Sequence, residues 1–192
     1  MFAKLSRENV GLVVAVAALL VSAASFYATY LQSVAATRQV KAATWPYLQV
    51  EHGNIEDGVR AIAYSLRNVG VGPLFLRTFE LDYEGRRLTG PKDLIDACCS
   101  ESDVVKALST STVSSVAAPQ IVPARDSIQL FRSLRTDENA DAWDRLDRAR
   151  WRMNYRACYC SILDECWIVE KSSKPRPVHR CDAPSNRNAY WR

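Results

Sequence analysis

The stretch from Asn9 to Thr37 carries no charged residue, and Val10 to Val21 is almost wholly aliphatic or alanine. A helix needs about 20 apolar residues to cross the hydrocarbon layer of a bilayer, and this charge-free run is longer than that. Phe26, Tyr27 and Tyr30 stand toward its far end, where amphipathic rings favour the headgroup boundary, and Gln32 and Ser33 begin a polar exit. The expected organisation is an N-terminus over 1–8, a transmembrane helix over 9–33 and a linker over 34–44. Two other readings stay open. One is a cleaved signal peptide, with Lys4 and Arg7 as its basic region and Ser22-Ala23-Ala24 as its cleavage site. The other is a buried core helix, although core helices seldom run so far without a charge.

Orientation follows less directly, because Lys4, Arg7 and the terminal amine on one side are nearly balanced by Arg38 and Lys41 on the other. The six cysteines, all C-terminal to the apolar stretch, tip the balance. That density is unusual in a reducing cytosol and ordinary in an oxidising compartment. The N-terminus is therefore expected in the cytoplasm and the remainder outside it.

With 192 residues in all, the chain has room for one domain beyond this anchor. Proline disfavours helix at the residue before it, so Trp45-Pro46 marks where the domain begins. Tyr47 to Glu51 reads as a first strand. Val59 to Val69 alternates with Ile62, Tyr64 and Leu66 on one face, and Leu74 to Tyr83 with Phe79, Leu81 and Tyr83. Between them, Gly70 and Gly72 are expected to supply positive φ in a turn closed by Pro73. Glu84-Gly85 fits a tight hairpin into Arg86-Arg87-Leu88.

Pro91 to Cys99 and Thr136 to Arg150 have helical patterns, the second with Ala140, Trp143 and Leu146 at about one-turn spacing. The run Ser109 to Ser115 is open between a loop and an edge strand. Ser127 to Arg132, Trp151 to Ser161 and Cys166 to Ser172 complete the strands, the last two as a hairpin around Ile162-Leu163-Asp164-Glu165. The expected fold is mainly β, an antiparallel immunoglobulin-like β-sandwich over 45–173 with two short helical insertions and a surface tail over 174–192.

Trp45-Pro46-Tyr47-Leu48, Asn68-Val69-Gly70-Val71-Gly72-Pro73-Leu74 and Tyr159-Cys160-Ser161-Ile162-Leu163-Asp164-Glu165-Cys166-Trp167 together span most of the domain. In these segments and in the order of its features the chain resembles a group of uncharacterised bacterial single-pass membrane proteins with an N-terminal transmembrane helix and a small β-sandwich. The resemblance implies architecture and attachment to the bacterial inner membrane, with the domain periplasmic or extracellular. It implies no activity and no site residues.

The cysteines carry the chemistry. Cys158 and Cys160 leave one face of a predicted strand, and Cys166 lies across a short turn, opposite Cys160 in one register. Cys181 can then reach Cys158, or either can take Cys98 or Cys99 at a helix end, and sequence does not choose among the pairings. The same residues also suggest a metal site built from Cys158, Cys160, Cys166 and Cys181 with His179 nearby. Structural zinc sites, however, space their ligands as two knuckles, which Cys-x-Cys on a strand fits poorly. No Cys-x-x-Cys redox motif is present, and the vicinal Cys98-Cys99 pair is open between a reactive thiol site and a helix end contributing to a bridge.

The only histidines are His52, in what reads as a polar turn, and His179 in the proline-rich tail. Neither belongs to a recognisable catalytic motif. Trp143, Trp151, Trp167 and Trp191 are expected to pack in the core or hairpin. The 25 basic and 21 acidic residues give a net charge of +4, and many arginines have acidic neighbours, as in Arg125-Asp126, which argues against nucleic acid as a partner. The expected function is a membrane-anchored interaction or envelope-support domain. Its partners are the lipid bilayer and a protein, with no cofactor and no catalytic site. The alternative is a metal- or thiol-dependent activity centred on the cysteine cluster.

Overall fold

A computed structural model of the chain describes residues 7–99, 102–171 and 173–182. Lys4, Ser172 and Trp191, to which the sequence assigned roles, lie outside the described residues, as do 1–6 and 183–192.

The first helix, α1 (Arg7–Ala43), is continuous over 37 residues, about 55 Å at 1.5 Å per residue. Residues 34–44 are not a separate linker. Val34 to Ala43 contains neither glycine nor proline and is rich in alanine, so nothing stops the helix before Trp45-Pro46. Thr29 and Thr37 donate to the carbonyls of Ser25 and Ser33, one turn back, which satisfies their hydroxyls within the helix. By length and composition α1 can cross a membrane.

A compact unit begins at Thr44. Its first sheet runs in the order β1 (Leu48–Gly53), β2 (Ala61–Asn68), β7 (Ser127–Leu134), β5 (Thr112–Ser114). The second runs β10 (Arg176–Val178), β9 (Cys166–Glu170), β8 (Met153–Cys160), β3 (Leu74–Tyr83), β4 (Arg86–Leu88), with β6 (Gln120–Val122) paired to the start of β3. All these pairings are antiparallel. Ile62, Tyr64 and Leu66 of the first sheet and Leu76, Phe79, Leu81 and Tyr159 of the second are buried in one hydrophobic core.

Strict alternation fails once. In β7 both Leu130 and Phe131 are buried. Tyr64 pairs with Phe131 but the next residue, Ser65, pairs with Gln129, so Leu130 is an extra residue in a bulge.

Three α-helices lie in the connections, where two were expected: α2 (Pro91–Cys98), α3 (Ser102–Ser111) and α4 (Ala140–Ala149), the last followed by a 3-10 turn, Arg150–Arg152. The open segment Ser109 to Ser115 is divided between the end of α3 and β5. The hydroxyls of Thr110, Ser111 and Thr112 bond carbonyls of Ala107 and Leu108, which lets a Ser/Thr-rich sequence finish a helix. Register places all three helices beyond the ends of β4 and β7 and before the start of β8, at the opposite end of the domain from Trp45. With α1 included, the chain is about 38% helix and 35% strand, so it is mixed rather than mainly β.

The end where β1 begins is tied together by Asn68, which is fully buried. Its Nδ2 donates to the carbonyls of Gly72 (2.8 Å), Val122 (3.1 Å) and Pro123 (3.1 Å). Its Oδ1 accepts from the backbone N–H groups of Gly70 (3.0 Å) and Tyr47 (3.3 Å). Gly70 and Gly72 do not adopt the positive φ expected of them. They are glycine because the segment Thr44 to Tyr47 crosses directly over them, where a Cβ would overlap its backbone.

The segment from Lys174 is more than a surface tail. Arg176, Pro177 and Val178 pair with Ile168, Trp167 and Cys166, adding an edge strand on which proline is tolerated.

Candidate functional site

The cysteines gather on one face of the second sheet. In β8, Ala157 and Tyr159 point to the core, so Cys158 and Cys160 leave the opposite face. The tight turn Ser161–Glu165, closed by Ser161 N–H to Glu165 carbonyl (2.8 Å), sets Cys160 directly opposite Cys166. Asp164 takes positive φ in that turn, which an Asp tolerates better than most residues. The pairing of β10 with β9 then carries the chain back across the same face and delivers Cys181 to Cys158. The bonds are Cys160–Cys166 and Cys158–Cys181.

These two bonds touch. Sγ of Cys160 lies 3.7 Å from Sγ of Cys181, a van der Waals approach between sulfurs of different disulfides. The sulfurs of Cys160, Cys166 and Cys181 all fall within 4.8 Å of one another. Cys158, Cys160 and Cys166 are buried and Cys181 is half-buried. The four residues read as an alternative metal set are thus together, but as disulfides, whose sulfurs lack the thiolate charge that a metal ligand needs. His179 is exposed and borders the same region with Arg77 and Arg180, around a cleft of ≈ 320 Å³.

Cys98 and Cys99 are bonded to each other at the end of α2. Their pairing joins adjacent residues, so it ties no distant elements together. All cysteines among the described residues are in disulfides.

Comparison with protein-family models, curated proteins and solved structures yields no match to this chain. Its residues alone must carry the functional argument.

A second cluster was not foreseen. His52 is not in a polar turn but in β1, opposite Tyr64, with the two rings stacked at 5.5 Å. The edge of Trp151 closes on it at 4.9 Å. Arg150, 5% exposed, contacts His52 Nδ1 at 2.7 Å and donates from Nε to Asp147 at 2.6 Å. Asn54 donates to the other Asp147 oxygen. Since guanidinium only donates, Nδ1 of His52 accepts and the imidazole is neutral. Burial, then the positive charges of Arg150 and Lys171, hold His52 below its ordinary value of 6.5, against a weaker opposing pull from Asp147.

The remaining aromatic residues divide. Trp143 is fully buried, its Nε1 donating to the Ser133 carbonyl at 2.9 Å, and Trp167 stacks on Tyr159. Trp151, expected to pack, is 62% exposed because it lies in the 3-10 turn before β8 begins, with Arg150 stacked 4.5 Å from its ring.

Proposed function

We propose that this chain is a single-pass protein of the bacterial inner membrane whose domain lies outside the cytoplasm and acts by binding a protein partner. The observation that carries the reading is the pairing of every described cysteine. Three disulfides in a domain of this size belong to an oxidising compartment, and they favour placing α1 with its N-terminus in the cytoplasm.

The order β1-β2-β7-β5 against β9-β8-β3-β4 supports an immunoglobulin-like sandwich, for it parallels the A-B-E-D and G-F-C arrangement of such domains. Binding is supported by β1, the longest strand at a sheet edge, whose outer side is the natural place for an added partner strand. It is supported also by the use of charge. Arg87–Glu80, Arg156–Glu170 and Arg176–Glu170 pair across the face of the second sheet rather than converge on a cleft.

The test is alkylation and intact mass of full-length protein taken from membranes without reductant. Resistance of the cysteines to alkylation, with α1 retained, is the expected result. Reaction of all six would place the domain in a reducing compartment and end this reading. A second reading, a thiol-dependent activity, is favoured by the 3.7 Å approach of Cys160 and Cys181.

A further inference from the structure

We infer that the four-cysteine cluster is a thiol–disulfide exchange site, in which Cys181 is the port through which an external dithiol reaches the buried Cys160–Cys166 bond. The inference rests on the oxidised cluster and on its geometry, not on which partner the domain binds.

Exposure selects the point of attack. Cys158, Cys160 and Cys166 are 4%, 3% and 7% exposed, whereas Cys181 is only half-buried and opens on the ≈ 320 Å³ cleft. Arg77, His179 and Arg180 line that cleft beside Asp164. Cationic neighbours favour thiolate over thiol, which helps both an attacking and a leaving sulfur.

The steps balance. A thiolate of the dithiol attacks Cys181 Sγ, forming a mixed disulfide while Cys158 leaves as thiolate and takes a proton. The second thiol of the dithiol attacks its own sulfur in that mixed bond, closing the oxidised dithiol ring and freeing Cys181 as thiolate. Cys181 Sγ starts 3.7 Å from Cys160 Sγ, near the distance from which positioned groups react. It attacks Cys160, the Cys160–Cys166 bond breaks, and Cys166 leaves as thiolate and takes a proton. Two electrons and two protons have entered. The protein then holds one disulfide, Cys160–Cys181, and two thiols, Cys158 and Cys166.

The exchange alters what is tied to what. Before it, the β8–β9 hairpin is closed across its own tip. After it, that tip is open and the strand following β10 is tied to β8 through Cys160 in place of Cys158.

The experiment uses full-length protein in detergent micelles, isolated without reductant and checked for its native bonds. That check separates a failure here from a failure of the proposed compartment. Brief exposure to dithiothreitol, trapping with iodoacetamide and mapping of linked peptides should give a species joining Cys160 to Cys181, with Cys158 and Cys166 alkylated. Partially reduced protein containing only native pairs would overturn the inference. The double variant Cys158→Ser with Cys181→Ser removes both internal nucleophiles beside the hairpin bond. Its Cys160–Cys166 bond should be reduced at least about tenfold more slowly than in the parent, and an equal rate would also count against the inference. Should that variant fail to fold, the peptide map of the unaltered protein decides alone.

Discussion

Asn68 joins three separate stretches of chain through one side chain: the segment before β1, the β2–β3 turn and the β6–β7 turn. Asn68→Ala leaves buried carbonyls and N–H groups without partners and should cost about 2–4 kcal/mol. Asn68→Asp should cost at least as much, because a carboxylate cannot donate to the three carbonyls. Urea unfolding midpoints test both. The opposite case is Ser133, fully buried, whose hydroxyl has no hydrogen-bond partner among the described residues. Ser133→Ala removes that desolvated group and should leave stability unchanged or raise it by about 1 kcal/mol. A loss above that size would reveal a partner for the hydroxyl.

His52 makes the stability depend on pH. Well above its ordinary value of 6.5 the imidazole is neutral in both folded and unfolded states. As the pH falls through that value, the unfolded chain gains a proton that the folded domain resists, so stability declines until the folded His52 is itself protonated. Unfolding midpoints should therefore fall between pH of about 7.5 and about 5. His52→Gln, which keeps an acceptor for Arg150, should flatten that dependence. An unchanged slope in the variant would assign the effect to other groups.

Among the elements, the β2–β3 connection allows little variation. A methyl group at Gly72 would overlap the backbone of Thr44, so Gly72→Ala must displace the start of the domain. It should cost several times the roughly 1 kcal/mol that the same change gives at an unconstrained site. The residues of this connection were legible in the sequence but their reason was not. Local turn chemistry suggests positive φ, whereas the actual cause is a contact with residues that the sequence places more than twenty positions away. The Glu84-Gly85 hairpin was read correctly because turn and strands are adjacent, and both turn residues do take positive φ. Helix α3 was missed for the converse reason. Its hydroxyl-rich end resembles a loop until the side chains bond back into the helix. The meeting of Cys158 with Cys181 depends on the register of β10 against β9, and a three-residue strand containing proline gives no periodic signal.

The two disulfides of the second sheet also act at this scale. They close spans of 23 and 6 residues, about 3 and 2 kcal/mol in the chain-entropy account, and somewhat less together because one loop lies inside the other. Full reduction should therefore lower the thermal midpoint by roughly 10 °C in a domain of this size. Calorimetry with and without reductant measures it. A shift of only a degree or two would mean that the packed sheets, not the bonds, hold this face.

For the molecule as a whole, the length of α1 makes a prediction about exposure. A helix of 37 residues is about 55 Å long, and the hydrocarbon layer takes about 30 Å of it. If the span begins near the start of the charge-free stretch, Phe26, Tyr27 and Tyr30 come to the far boundary. The remaining helix, Leu31 to Ala43, with Arg38 and Lys41, then stands in water as a stem. Because the native cysteines are paired, a single introduced cysteine is a clean reporter. In intact cells a membrane-impermeant maleimide should label Gln39→Cys, leave Ala17→Cys unlabelled, and reach Glu8→Cys only after lysis. Labelling of Glu8→Cys but not Gln39→Cys in intact cells would reverse the orientation and place the domain in the cytoplasm. Loss of the Glu8→Cys segment from the mature protein would instead identify the apolar stretch as a cleaved signal. Labelling of Ala17→Cys would show that the stretch does not lie in the bilayer at all.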